Sequence, residues 1–495
     1  MNLNNYADHF TLEYIIIRRY IISVLCESQL NIHDMNFLYP LENINRKSLS
    51  LTDRIDPDNQ IRYFLSGRTL RKIAEFASKI AEKKISELII DPCHIHSVFI
   101  CHFIKALQRM NVSIQYASLP NLSDQAGLTE NEIELIQQLI IADRGDRDLL
   151  VRCIRQVTNC GDVFSAENLL EHGLKYYRNF ESEHANLIGT IKNCVGKPIE
   201  AEYYYKIFKC SDDPLAPVRA NYPLAMLYLR HHKPEKRNFE MGKIYLTEAY
   251  EYIERGGLDF LEPEEKAFYT VFNRNGYGLV LFREGKINEA IEILNWGMNT
   301  LSDESPKHYM HRSVILYNIG QCYKQIADYD SAIQCYQDLL EIDYVFPEYH
   351  LEMGLCYKQK GCLKEYKACI EEALRLNPWH SDSHYCLSML LTEHGDIEAA
   401  EHHARMAWEL SGDDMTAYNY AYTQSINGKY YNLTQLQPVN SPEYVPQWII
   451  LRAEEQSQTS LSAALRVLQE GVTAFPEHAD LNVNINLIQE IIANA

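Results

Sequence analysis

The chain has 495 residues, 46% of them hydrophobic and 23% charged, a balance that suits a globular protein with ample core material. Its 67 acidic side chains outnumber 47 basic ones, giving a formal net charge of −20. That excess opposes nonspecific attraction to nucleic acid or an anionic membrane and favours basic or neutral partners. The 13 cysteines are scattered and include no C-x-x-C pair, which points to buried thiols in a reducing compartment. No stretch reaches about 18 uninterrupted apolar residues, so no membrane span is expected. Asp8 and Glu13 precede the first apolar stretch and Arg18 and Arg19 interrupt it, so no secretory leader is expected and the cytoplasm is the expected location.

In chain order, residues 9–26 read as one apolar helix, and 31–65, with Pro40 and Pro57, as irregular. Residues 67–84 place Leu70, Ile73, Ala74, Ala77, Ile80 and Ala81 on one helical face. "ELIID" (87–91) reads as a buried strand, 94–110 as a helix and "VSIQYASL" (112–119) as a second strand, which together predict a small parallel α/β unit. A helix over 129–142 links this domain, residues 1–128, to the remainder of the chain.

Two stretches here could carry chemistry. "DPCHIHSVFICHFI" gathers Cys93, His94, His96, Cys101 and His102, residue types that bind zinc, although no established zinc spacing is present. A helix buried around its His and Cys explains the same residues. Asp91, at a strand end, is a candidate catalytic carboxylate and equally a turn and helix cap. The second stretch is the basic run Arg62, Arg68, Arg71, Lys72, Lys79, Lys83 and Lys84. Charge runs are usually solvated helix faces. The alternative is a docking surface for an acidic partner, or for the chain's own acidic array.

From residue 147 the pattern changes. In "LYNIGQCYKQIADYDSAIQCYQDLL", Gly320, Tyr323, Ala332 and Tyr336 stand at helical spacings, and a shift of 34 brings Gly320 onto Gly354 and Tyr323 onto Tyr357. A further shift of 34 reaches Ser388. Tyr277-Gly278 with Ala290, Leu387-Ser388 with Ala400, Trp448 with Ala464 and Pro476, and Ile188-Gly189 with Ala201 and Tyr205 extend the pattern. Residues 147–180 carry a weaker copy. Residues 216–255 read as a helix pair with a lengthened turn, and in 415–444 Pro438 and Pro442 leave little room for a second helix.

These motifs resemble the tetratricopeptide repeat (TPR), 34 residues with W-x2-L-G-x2-Y, then A-x3-F, then P. The small residues let two antiparallel helices approach, the aromatics fill the gaps, and the proline ends the second helix. Ser388 for glycine and Tyr366 for alanine depart from the pattern, and only Trp448 keeps the tryptophan. The resemblance implies a mainly α fold, a TPR-type α-solenoid (a right-handed superhelix of helix pairs) preceded by the small α/β domain. About eight units are expected over 147–478, with a polar cap over 479–495.

The resemblance also implies a concave groove lined by the first helix of each unit. Mapped onto this chain, the groove positions give Asn275, Arg283, Tyr317, Asn318, Gln321, Lys324, Gln325, Lys358, Gln359, Tyr385 and Asn419. Amides can pair with an extended peptide backbone, and tyrosine adds contact area at low entropy cost. The two-carboxylate clamp of some family members is not matched, because Tyr317 and Leu351 stand where it needs cations. No phosphate-binding, dinucleotide, HExxH or GxSxG signature is present, and no cofactor is expected. The expected function is a noncatalytic adaptor that holds a protein or peptide in the groove and docks a second partner through Arg68, Arg71, Lys72, Lys79 and Lys83. Two rivals stay open: a ligand-gated regulator with a repeat sensor, and an enzyme or accessory subunit whose N-terminal domain acts on a recruited substrate.

Overall fold

The computed structural model describes residues 3–10, 12–42, 50–51, 65–118, 127–302, 304–429, 441 and 443–494. Pro57, Arg62, Pro438 and Pro442, and the last residue of the predicted second strand, lie outside them. The chain forms two compact units, Met1–Phe346 and Pro347–Ala495.

The first unit opens with two helices, Leu3–His9 and Glu13–Val24, where the sequence suggested one. Helix Ile32–Leu38 lies in the stretch expected to be irregular, and it starts at a capping box formed by Asn31 and Asp34. Helix Leu65–Glu82 matches the amphipathic stretch, and Ile73, Ala74, Phe76, Ala77 and Ile80 are buried on it. Strands β1 (Glu87–Ile90) and β2 (Ser113–Tyr116) pair in parallel, Glu87 opposite Ser113. Their crossover differs from the single predicted helix. Asp91 starts a 3-10 turn, Pro92–His94, and Ser97 then caps a separate helix, Val98–Arg109. Pro92 removes one backbone donor and the two caps each fix a helix start, which breaks the segment in two.

Helix pairs make up the rest of the unit. Arg147–Asn159 packs on Val163–Tyr176, Ala185–Cys194 on Pro198–Lys209, Pro263–Arg283 on Ile287–Thr300, and Pro306–Gln325 on Tyr329–Ile342. The irregular stretch is built from short helices Ala216–Arg219 and Asn221–Met226, a π-helical turn Leu227–His231, and helix Phe239–Glu254. In the second unit Pro347–Gln359 packs on Leu363–Leu376, Ser381–Glu393 on Ile397–Ser411, and Val445–Ser457 on Leu461–Ala474, with Asp414–Ile426 between and Ala479–Asn494 last.

The repeat positions do the work that the sequence pattern suggests. A Cβ on Gly320 would stand 3.1 Å from the Tyr336 ring, and one on Gly354 would stand 2.9 Å from the Cys369 Cβ. Ala290, Ala332 and Ala400 are fully buried opposite, and Tyr366 fills the alanine place in its own unit. The turn between the helices of a pair needs a left-handed residue. Gly285 and Gly361 supply it at φ +76, and Ala327 holds the equivalent position at φ 61.

The N-terminal region is tied to the array of the first unit by buried polar contacts. The Glu13 and Tyr14 amides donate to Ser165 Oγ and Asp162 Oδ2, at 2.9 and 3.2 Å. The Glu13 carboxylate in turn accepts from the Val98 and Phe99 amides, both at 2.9 Å. Three helix N-termini therefore share one set of caps. Arg18 and Glu132, both buried, form a two-pronged pair at 2.5 and 2.7 Å. Farther along, Leu51 packs on Met310, and Ser50 Oγ donates to Asp343.

Candidate functional site

The residues expected to line a groove lie partly in the first unit and partly in the second, as two sets. In the first, helices Pro263–Arg283 and Pro306–Gln325 are joined by an amide bridge: Asn318 Nδ2 donates to Asn275 Oδ1 at 2.8 Å. Asn275 is buried and Asn318 half-buried, so these amides serve helix–helix packing. Gln321 Nε2 donates to the Tyr336 hydroxyl at 2.9 Å, and the Tyr317 ring lies 6.1 Å from that of Tyr336. Tyr317, Gln321 and Lys324 are half-buried; Arg283 and Gln325 are exposed.

In the second unit Lys358 lies 5.4 Å from the Tyr366 ring centroid, and Gln359 is exposed. Tyr385 is half-buried, and burial followed by Tyr444 raises its phenol above the ordinary range. Asn419 is buried and donates to Ser388 Oγ at 3.1 Å. Ser388, a departure from the glycine pattern, thus supplies an acceptor that glycine lacks. Two kinds of residue share the row: Asn275, Asn318 and Asn419 stitch neighbouring first helices together, while Arg283, Gln325, Lys358 and Gln359 present polar tips. The two kinds stand at different repeat positions, the asparagines at the fifth and sixth and the polar tips at the twelfth and thirteenth, so place within the unit was a signal that motif mapping left unused. It also missed Arg274, whose guanidinium lies over Tyr250 and Tyr277, at 4.3 and 4.5 Å. A cation with aromatics three residues along the helix and on the preceding helix was the available signal.

In the N-terminal region Asp91 acts as a cap, its Oδ1 accepting from the Cys93 amide at 3.0 Å, while its own amide donates to the Tyr20 hydroxyl. His94 Nδ1 lies 2.7 Å from that same hydroxyl. His96 and Cys101 are exposed, and the Cys101 thiol donates to the Ile95 carbonyl at 3.0 Å. Burial, then Arg109 and Lys105, lower the His102 pKa. Among the described residues no three His, Cys, Asp or Glu side chains are grouped to hold a metal ion.

The basic helix is engaged within the chain. Lys72 and Lys79 grip the buried Asp34 carboxylate at 2.9 and 2.5 Å. Arg68 and Arg71 lie over the Phe346 ring, at 5.1 and 6.0 Å. Lys83 donates to the Val24 carbonyl at 3.3 Å and to Gln29. Asp34, Val24 and Gln29 belong to the N-terminal domain and Phe346 is aromatic, so none of these contacts is with an acid of the repeat array.

The tetratricopeptide repeat family matches residues 314–345 and 347–378, and those two helix pairs are tetratricopeptide repeats. No curated protein matches the chain in sequence. Among solved structures, pilF of Pseudomonas aeruginosa is similar at 15% identity, over 50% of this chain and 97% of that one, with a TM-score of 0.36. The human IFIT1 dimer with PPP-AAAA is similar at 14% identity, over 73% and 90%, with a TM-score of 0.44. Yeast Tom70 is similar at 13% identity, over 73% and 92%, with a TM-score of 0.34. Likenesses at these levels say nothing of ligands.

Proposed function

We propose that this chain is a noncatalytic adaptor, working in the cytoplasm, that holds a protein or peptide against the first helices of its repeat array. Repeats of this family form protein-interaction scaffolds, because stacked helix pairs present an extended ligand surface. The observation that carries the reading is the division within the groove row. The asparagines lock the helices together, while Arg283, Gln325, Lys358 and Gln359 keep polar ends in reach of a ligand. A preorganised face loses less entropy on binding. No helix among the described residues is long and apolar enough to cross a membrane.

The test is capture from native extract, read by mass spectrometry, with the intact chain and a variant changed to alanine at Lys324, Gln325, Lys358 and Gln359. Asn318 is left in place because its loss would disturb the Asn275 bridge. A partner held by the intact chain and released by the variant is the expected result. Identical capture by both would sink the reading.

A further inference from the structure

Three arginines stand on neighbouring segments where the irregular stretch packs on the following repeat. Arg230 stands on the π-helical turn Leu227–His231, Arg237 on the loop after it, and Arg283 ends helix Pro263–Arg283. One apolar cluster, including Leu227, Leu229, Tyr245 and Val280, fixes these segments against one another. The loop is pinned where the Asn238 amide donates to the Tyr228 carbonyl at 3.1 Å. Arg237 Nε donates to the His232 carbonyl at 2.9 Å, so this side chain is held in place.

All three arginines are exposed, and among the described residues none is ion-paired with a carboxylate. Two acids on the adjoining segments are already taken, while Glu235 and Glu240 are exposed. Glu284 is held by Lys243 and Lys286, at 2.5 and 2.8 Å, and Glu202 by Lys206 and Lys236, both at 2.5 Å. Arg283 feels the other two: partial burial, then Arg230 and Arg237, lower its pKa. Burial and Arg230 likewise push His231 down to about 4, so it stays neutral near pH 7. In a chain with a net charge of −20, three neighbouring guanidinium groups that form no ion pair with a carboxylate among the described residues stand out. π-Helical turns of this kind often occur at functional sites. Repeat register independently places Arg283 in the groove row.

We propose that Arg230, Arg237 and Arg283 bind an anionic segment of the peptide held by the array, gripping clustered carboxylate or phosphoryl groups. The inference rests on the peptide-binding reading above and names the ligand's charge. Guanidinium forks match both groups in two-pronged geometry, which ammonium ions do not. A nucleic acid fits less well, because its backbone asks for a long basic stripe and the rest of the chain is acidic.

The test uses the full-length chain and fluorescence anisotropy at two salt concentrations. The probes are labelled oligoglutamate, a phosphoserine-bearing peptide, oligoglutamine of equal length and a single-stranded oligonucleotide. The variant is R230Q/R237Q/R283Q, with R237Q alone as a milder companion and R255Q, which breaks the Arg255–Glu251 surface pair, as control. Melting curves establish that each variant is folded. At least one anionic peptide is expected to bind roughly tenfold or more tighter than oligoglutamine, less so at high salt, and to lose that margin in the triple variant but not in R255Q. The R237Q variant should lose part of it. The better anionic peptide identifies the source of the charge. Equal binding of oligoglutamate, phosphopeptide and oligoglutamine overturns the proposal, as does unchanged binding by the folded variants. So does an oligonucleotide that binds as tightly through the same arginines. Groove-dependent capture without anionic-peptide binding sinks this inference alone, whereas capture that ignores the Lys324–Gln359 variant sinks the reading beneath it.

Discussion

The N-terminal region and the repeat array solve the same problem in different ways. Most repeats bury small residues, such as Gly320 with Ala332, in close packing, so their cohesion is apolar and local. The N-terminal region has two strands among its described residues and buries apolar side chains of its own, Ile16, Phe76 and Phe103 among them, but polar contacts are added to these. It is held by buried polar interlocks that reach far along the chain: Arg18 to Glu132, Glu13 to Ser97, and Asp162 to the Tyr14 amide. Local apolar packing tolerates substitution by degrees, whereas a buried charge pair fails when one partner is removed.

That contrast can be broken at its strongest point first. Glu132→Gln leaves Arg18 buried without its counter-charge and should cost about 3–5 kcal/mol in urea unfolding of the first unit. A loss near zero would mean that the interlocks are not what holds this region. On the array side, Gly354→Ala pushes a methyl against Cys369 and should cost about 1–3 kcal/mol. Hydrogen exchange should place that loss in residues 347–494 rather than spread it over the chain.

The polar side also carries a pH signature. Burial and the neighbouring Glu13 carboxylate raise the Asp162 pKa from 3.8 to about 7. Between those values the folded chain keeps a proton that the unfolded chain has released. This contribution to stability is therefore full below about pH 4 and falls as pH rises towards 7, by at most about 1.4 kcal/mol per pH unit. Asp162→Asn should flatten that slope in denaturant midpoints measured across the window, and an unchanged slope would refute the assignment. The smallest effect has the opposite sign. Ala327→Gly relieves a left-handed alanine at a position where other units carry glycine, and should stabilise the chain by about 1 kcal/mol. A lower melting temperature would contradict it.

The array was legible because its constraint repeats. Gly320, Gly354, Ala332 and the turn glycines recur at one spacing, and each recurrence reports the same close approach. The N-terminal region offered no repetition. Its strands and the helix over 65–82 were readable from periodicity. The break at residues 92–98 was not, because it is set by Pro92 and the local caps Asp91 and Ser97, which periodicity does not register. The row of first-helix residues was readable as positions, but the bridge from Asn318 to Asn275 was not, since it depends on how neighbouring helices pack. The inward use of the basic helix was hidden too, since it depends on the buried Asp34.

The Ser50–Asp343 contact bears on how the protein is made. Its partners are 293 residues apart, so the early segment cannot close until nearly three hundred further residues have been synthesised. At roughly 5–20 residues per second, that is a wait of about 15–60 s. Helix pairs can collapse as they emerge, but Ser50 waits for its partner about twice as long as Glu13 and Arg18 wait for theirs, 293 residues against 152 and 114. During that interval Leu51 and the Met310 surface it covers are both open to chaperones, to proteases, and to the same segments of a neighbouring nascent chain.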